Sequence, residues 1–140
     1  ARIAAAVAAR PATVPLAEAV VEAIVTQYAD PGRDQDAVLF IIARPALRDA
    51  YLSAAAAIQD PLATVITERI GDAGQYTAQV LAASVAAAVR VALQRWLQPG
   101  GPAAPSGLVV PSGSLPELLR ISLAPLAAAL NAAERRAEPT

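Results

Sequence analysis

The sequence contains no cysteine, no histidine, no methionine and no lysine, and its 11 basic residues are all arginine. Without Cys or His there is no zinc finger, no Cys/His nucleophile, no haem attachment and no disulfide framework. No side chain present titrates near neutral pH in its ordinary state, so a general base of the usual kind is missing. The 11 arginines face 12 acids, a net charge of −1, which excludes a basic nucleic-acid-binding surface. Aromatic rings are few: Tyr28, Phe40, Tyr51, Tyr76 and Trp96.

Long apolar runs are also scarce. The run from Val80 to Val89 is broken by Ser84 and bounded by Gln79 and Arg90, whereas a spanning helix needs about 20 apolar residues. The first residues lack the basic, apolar and cleavage regions of a signal peptide. These features point to a soluble intracellular protein, read as cytoplasmic, with no membrane partner. The missing Met, with a start already in helical pattern, is read as the mark of a piece of a longer chain.

What the chain has is alanine: 37 of 140 residues. Alanine is the best helix former, and a chain of this length forms one domain with a real core. The expected fold class is all-α, a bundle of about six helices in a single domain over 1–140.

Ala1 to Arg10 reads as a short helix ended by Pro11. Pro15 opens a second helix running to about Ala29, with Leu16, Val20, Ile24 and Tyr28 as its apolar stripe. Glu18 and Glu22 occupy its other side and read as a solvated face. After Asp30-Pro31-Gly32, the unbroken run Ala37 to Ala43 reads as a buried helix ended at Arg44-Pro45. Pro45 to Ile70 is long and amphipathic, with Pro61 expected to kink it and Gly71 to close it. Asp72 to Gln75 has capping-box spacing ahead of a small-residue-rich helix to about Leu97. The 99–113 stretch holds four Pro and four Gly and is a loop. Ser114-Leu115-Pro116-Glu117 is a capping box for the final helix, which Pro125 is expected to interrupt. Glu134 to Thr140 is expected to fray.

Enzyme chemistry has little to draw on. The expected cofactor and metal sets are empty, and no acid–base pair is evident. Ser84, among Ala and Val, reads as a helix serine bonded to the carbonyl one turn back. A binding module is better supported. The Ala37–Ala43 run with Phe40, the Leu47/Tyr51/Ile58/Leu62 face and the Val80–Val89 helix can enclose a cavity. Tyr28, Arg44, Tyr51, Gln79 and Ser84 are its polar candidates. Such a lining suits a small, largely apolar ligand with one polar end. Close helix packing with no cavity is equally compatible with the alanines. The last two helices offer Val85, Ala88, Ala92 and Trp96 on one, and Leu119, Ser122, Leu126 and Leu130 on the other. These faces suit either a two-fold four-helix interface in a homodimer or the chain's own core.

The stretch Ala37 to Leu52, containing Arg44-Pro45-Ala46-Leu47-Arg48, resembles the C-terminal regulatory domain of TetR-family transcriptional regulators. Ala82 to Leu97, with its Arg95-Trp96 end, is similar to the helix that follows there, and Ser114 to Leu130 to the last helix. The long 99–113 loop and the prolines at 61 and 125 depart from the family's pattern. The resemblance implies an N-terminal helix-turn-helix domain absent from this chain, with residues 1–10 as the connecting helix. It implies dimerisation through the last two helices, and an effector that shifts helix packing and releases operator DNA. The effector site is expected near Phe40, Tyr51, Ile58 and Ser84. An apolar-ligand carrier or a structural, protein-interaction bundle without DNA binding is the alternative.

Overall fold

The computed structural model describes residues 2–28, 44–97 and 115–137. Within them the chain forms α1 (Arg2–Ala8), α2 (Leu16–Tyr28), α3 (Pro45–Ala54), α4 (Gln59–Ile70), α5 (Gln75–Trp96) and α6 (Leu115–Ala137). There is no strand among the described residues, so the fold is the expected all-α bundle. The 37–43 run, the 99–113 loop and the Ser114 cap lie outside the described residues.

α1 buries Ile3, Ala4 and Val7, one stripe of its short cylinder, against α2 and α4. α2 buries Leu16, Val20 and Ile24 completely, and Tyr28 packs against the same core. That stripe follows the four-residue spacing of the sequence. α3 opens at Pro45, whose fixed φ suits a first turn. Arg44 before it is extended, with φ −123° and ψ 104°, as a residue preceding proline prefers.

α3 and α4 form one rod joined by a 3-10 turn, Ala55–Ile58. Pro61 explains the join. Its ring cannot sit over the carbonyl of Ala57, and it has no N–H to donate there. The rod tightens just before it, and Pro61 falls in the first turn of α4. Gly71 closes α4, donating its N–H to Thr67 at 2.7 Å with φ +93° and ψ 158°, a region essentially reserved for glycine.

The Asp72 capping box does not form. Asp72–Gly74 is a 3-10 turn, and α5 begins at Gln75 behind Gly74 with no side-chain cap. α5 is the central helix, packed on both α4 and α6. By length and composition alone the Asp72–Trp96 run is apolar enough to cross a membrane. Its packing on two sides accounts for that apolarity, since Leu81, Val85, Val89 and Leu93 all enter the core.

α6 runs unbroken through Pro125, against expectation. Pro125 is exposed. The carbonyl it leaves without a donor belongs to Ile121, itself 68% exposed, where water can serve. Nor does the chain fray at Glu134: helix continues to Ala137. The reason is tertiary. Asn131 and Glu134, three residues apart on one face, accept the N–H groups of Ala17 (3.1 Å) and Leu16 (3.0 Å). They supply the cap that Val14-Pro15 lacks. Arg69 Nε lies 2.5 Å from Glu134 Oε2, as a charge pair and not an aligned hydrogen bond. Arg69 Nη2 donates to the carbonyls of Pro11, Ala12 and Val14. One node therefore ties the α1–α2 corner, the end of α4 and the end of α6.

Candidate effector cleft and outer helix faces

A cleft of about 340 Å³ opens between α1, α2 and the α3–α4 rod. α1 contributes Arg2, Ile3 and Ala4, and α2 contributes Gln27 and Tyr28. Tyr51 and Ala54 come from α3, Ala57 and Ile58 from the 3-10 turn, and Pro61 from α4. Ile3, Ala4 and Ile58 are buried and form an apolar floor. Tyr28 and Tyr51 are half-buried and Arg2 is exposed at the rim. The local reason for the cleft is small side chains: Ala4, Ala54 and Ala57 leave room where longer ones would close it.

Of the expected ligand residues, the structure brings together Tyr28, Tyr51 and Ile58. Leu62, Ser84, Gln79 and Arg44 do not line the cleft. Leu62 is completely buried core, since it falls on the inner side of α4. Ser84, on α5, donates to the carbonyl of Val80 at 2.8 Å, one turn back. Gln79 is exposed and borders a different groove with Thr64, Thr67 and Asp72. Arg44 is exposed ahead of α3. Phe40 lies outside the described residues. The α1 wall escaped sequence reasoning, although the spacing of Ile3, Ala4 and Val7 already marks a helix that must pack on something.

A second groove, of about 390 Å³, adjoins the cleft and shares Arg2 and Gln27 with it. Ala6, Arg10 and Glu22 also line it. Glu22 is not merely solvated: it accepts a hydrogen bond from Arg120 Nη1 of α6 at 2.8 Å. That bond holds the Glu22 carboxyl below the ordinary 4.5, with the charges of Arg120 and Arg10 adding to it against some desolvation.

A family model described as the MftR C-terminal domain, of the TetR type, matches residues 10–131. The chain belongs to this TetR family of C-terminal domains. No curated protein and no solved structure matches it. TetR C-terminal domains are regulatory, and this one has the family's all-α architecture. The match begins at Arg10, so the α1 wall of the cleft rests on geometry alone.

In this TetR domain the expected dimer stripe is largely consumed within the chain. Val85, Ala92, Leu119 and Leu130 are buried in its own core, and Ala88, Trp96, Ser122 and Leu126 are half-buried. A different stripe faces outward. On α5 it comprises the exposed Val80 (63%), Ala87 and Val91 (57%), with Ser84 half-buried between them. On α6 it comprises the exposed Ile121, Pro125 and Ala128, with Ala132 half-buried one turn on. Both sets have the spacing of one helix face, and charge is absent from both.

Proposed function

We propose that this chain is the effector-binding and dimerisation domain of a cytoplasmic TetR-type transcriptional repressor. A small, largely apolar effector occupies the cleft walled by α1, α2 and the α3–α4 rod. The observation that carries this reading is the double role of α1, which is one wall of the cleft and packs on both α2 and α4. A ligand touching α1 and Ile58 together favours one setting of α1 over another. In this reading α1 continues to an N-terminal helix-turn-helix domain. Its displacement changes the separation of two DNA-reading heads and lowers operator affinity. Coupling of this kind is typically about 1–3 kcal/mol and requires different effector affinity in the two settings.

The two heads require a homodimer, and the outward stripes of α5 and α6 are its proposed contact. Val80, Ala87, Val91, Ile121 and Ala128 from each copy would pair as a four-helix interface. Exposed Val and Ile at helical spacing on two adjacent helices support this, because a monomer gains nothing from them.

The deciding experiment uses the full-length regulator containing this domain. Native mass spectrometry of freshly purified protein supplies the co-purified effector, and operator affinity is then measured with and without it at fixed salt. Release of DNA is the expected result. Unchanged operator affinity at saturating effector overturns the reading.

A further inference from the structure

Among the described residues Arg2 is the charged residue of the cleft lining, and the other polar side chains there are Gln27, Tyr28 and Tyr51. Among the described residues Arg2 makes no hydrogen bond and no ion pair. The carboxylate in the adjoining groove, Glu22, is engaged by Arg120. Among the described residues no Asp or Glu lines the cleft itself. Its polar side therefore offers positive charge and neutral groups, and nothing to match a cation.

We propose that the cleft selects a small amphipathic monoanion, an apolar body bearing one carboxylate, with the carboxylate at Arg2. This rests on the reading of the cleft as the effector site. The guanidinium keeps its charge at every physiological pH and presents a planar fork that suits a carboxylate. The body lies on the floor formed by Ile3, Ala4 and Ile58 and against Pro61. A volume of about 340 Å³ is at the lower end of small-molecule sites, so the body is a ring or a short chain. Because α1 carries both Arg2 and the floor residues Ile3 and Ala4, such a ligand grips this helix at two chemically different points. A neutral analogue grips it at one.

The test compares three probes with the same body: 4-phenylbutyrate, 4-phenylbutan-1-ol and 4-phenylbutylamine. Binding to the 140-residue chain is read by calorimetry and by thermal shift. Wild type is expected to bind the carboxylate about fivefold more tightly than the alcohol, and the amine least, for a charged contact at an exposed rim. Arg2→Gln, a change at an exposed position, should abolish the carboxylate's advantage over the alcohol. Equal binding of acid and alcohol to wild type, or an advantage that survives in Arg2→Gln, refutes the anion proposal while leaving the cleft intact. Ala57→Trp, which fills the cleft, separates the two levels. If binding of the alcohol is unaffected by Ala57→Trp, or no probe binds wild type, the cleft reading itself fails and the anion proposal with it.

Discussion

Removing Glu134 tests the node that joins the three ends of the fold. Glu134→Ala deletes the acceptor of the Leu16 N–H and the anionic partner of Arg69. Loss of an N-terminal cap costs about 0.5–2 kcal/mol. The ion pair adds to this because its side chains are only 11% and 18% exposed, so solvent screens it less than a surface pair. Arg69 would keep its carbonyl contacts but lose its counter-charge. The expected sum is about 2 kcal/mol, or a fall of roughly 4–10 °C in Tm for a domain of this size. Urea unfolding at a fixed protein concentration, which holds any association constant, measures the first quantity. Amide hydrogen exchange measures the second effect, a selective loss of protection at Leu16 and Ala17. Glu134→Gln keeps an acceptor oxygen and should lose about half as much. A double-mutant cycle with Arg69→Ala should return a coupling of about 0.5–3 kcal/mol. A Glu134→Ala protein within about 0.3 kcal/mol of wild type, with Leu16 exchange unchanged, would refute the cap and the ion pair together.

Gly71→Ala should destabilise by about 1–3 kcal/mol, because φ +93° at the end of α4 is open only to glycine; a neutral urea midpoint would contradict this. Pro125→Ala should raise the urea midpoint by restoring a donor to the Ile121 carbonyl in an otherwise continuous helix; an unchanged or lower midpoint would count against it. Glu22 has its carboxyl pKa lowered in the fold, so its pairing with Arg120 stabilises above pH 4.5 and is lost as pH falls through the folded value. An NMR titration should place Glu22 below 4.5, and Arg120→Gln should bring it back up. Val91→Glu with Ile121→Glu should yield monomers in light scattering if the outward stripes join two copies, whereas a monomeric wild type would remove the dimer reading.

The bundle was legible in the sequence because periodicity reports which helix face is apolar. Leu16, Val20 and Ile24 are buried as their spacing implies. Periodicity does not report what covers that face. On α5 and α6 it favoured Val85, Ala92, Leu119 and Leu130, and the fold uses those as its own core. The outward stripe, Val80 to Val91 and Ile121 to Ala132, is less apolar and lies one step around each helix. The polar node left no trace at all, since Glu134 and Leu16 are 118 positions apart and no local pattern links them. The cleft was half visible for a related reason. Tyr28, Tyr51 and Ile58 stood out as polar or bulky residues on apolar faces, but the small residues that make the space resemble ordinary packing alanines. Pro125 misled because propensity counts a lost hydrogen bond without asking whether its carbonyl meets water.

The cap on α2 also fixes an order of events. Leu16 and Ala17 leave the ribosome long before Asn131 and Glu134. At about 5–20 residues per second, the start of α2 waits roughly 6–24 s for its partners to be made. During that interval its first turn must be satisfied by water, and the corner that Arg69 later clamps has no anionic anchor. Docking α6 on the start of α2 therefore joins segments more than 100 positions apart, with loop-closure entropy to overcome before the contact forms. A truncation before Asn131 would leave the start of α2 without its cap and Arg69 without its anionic partner.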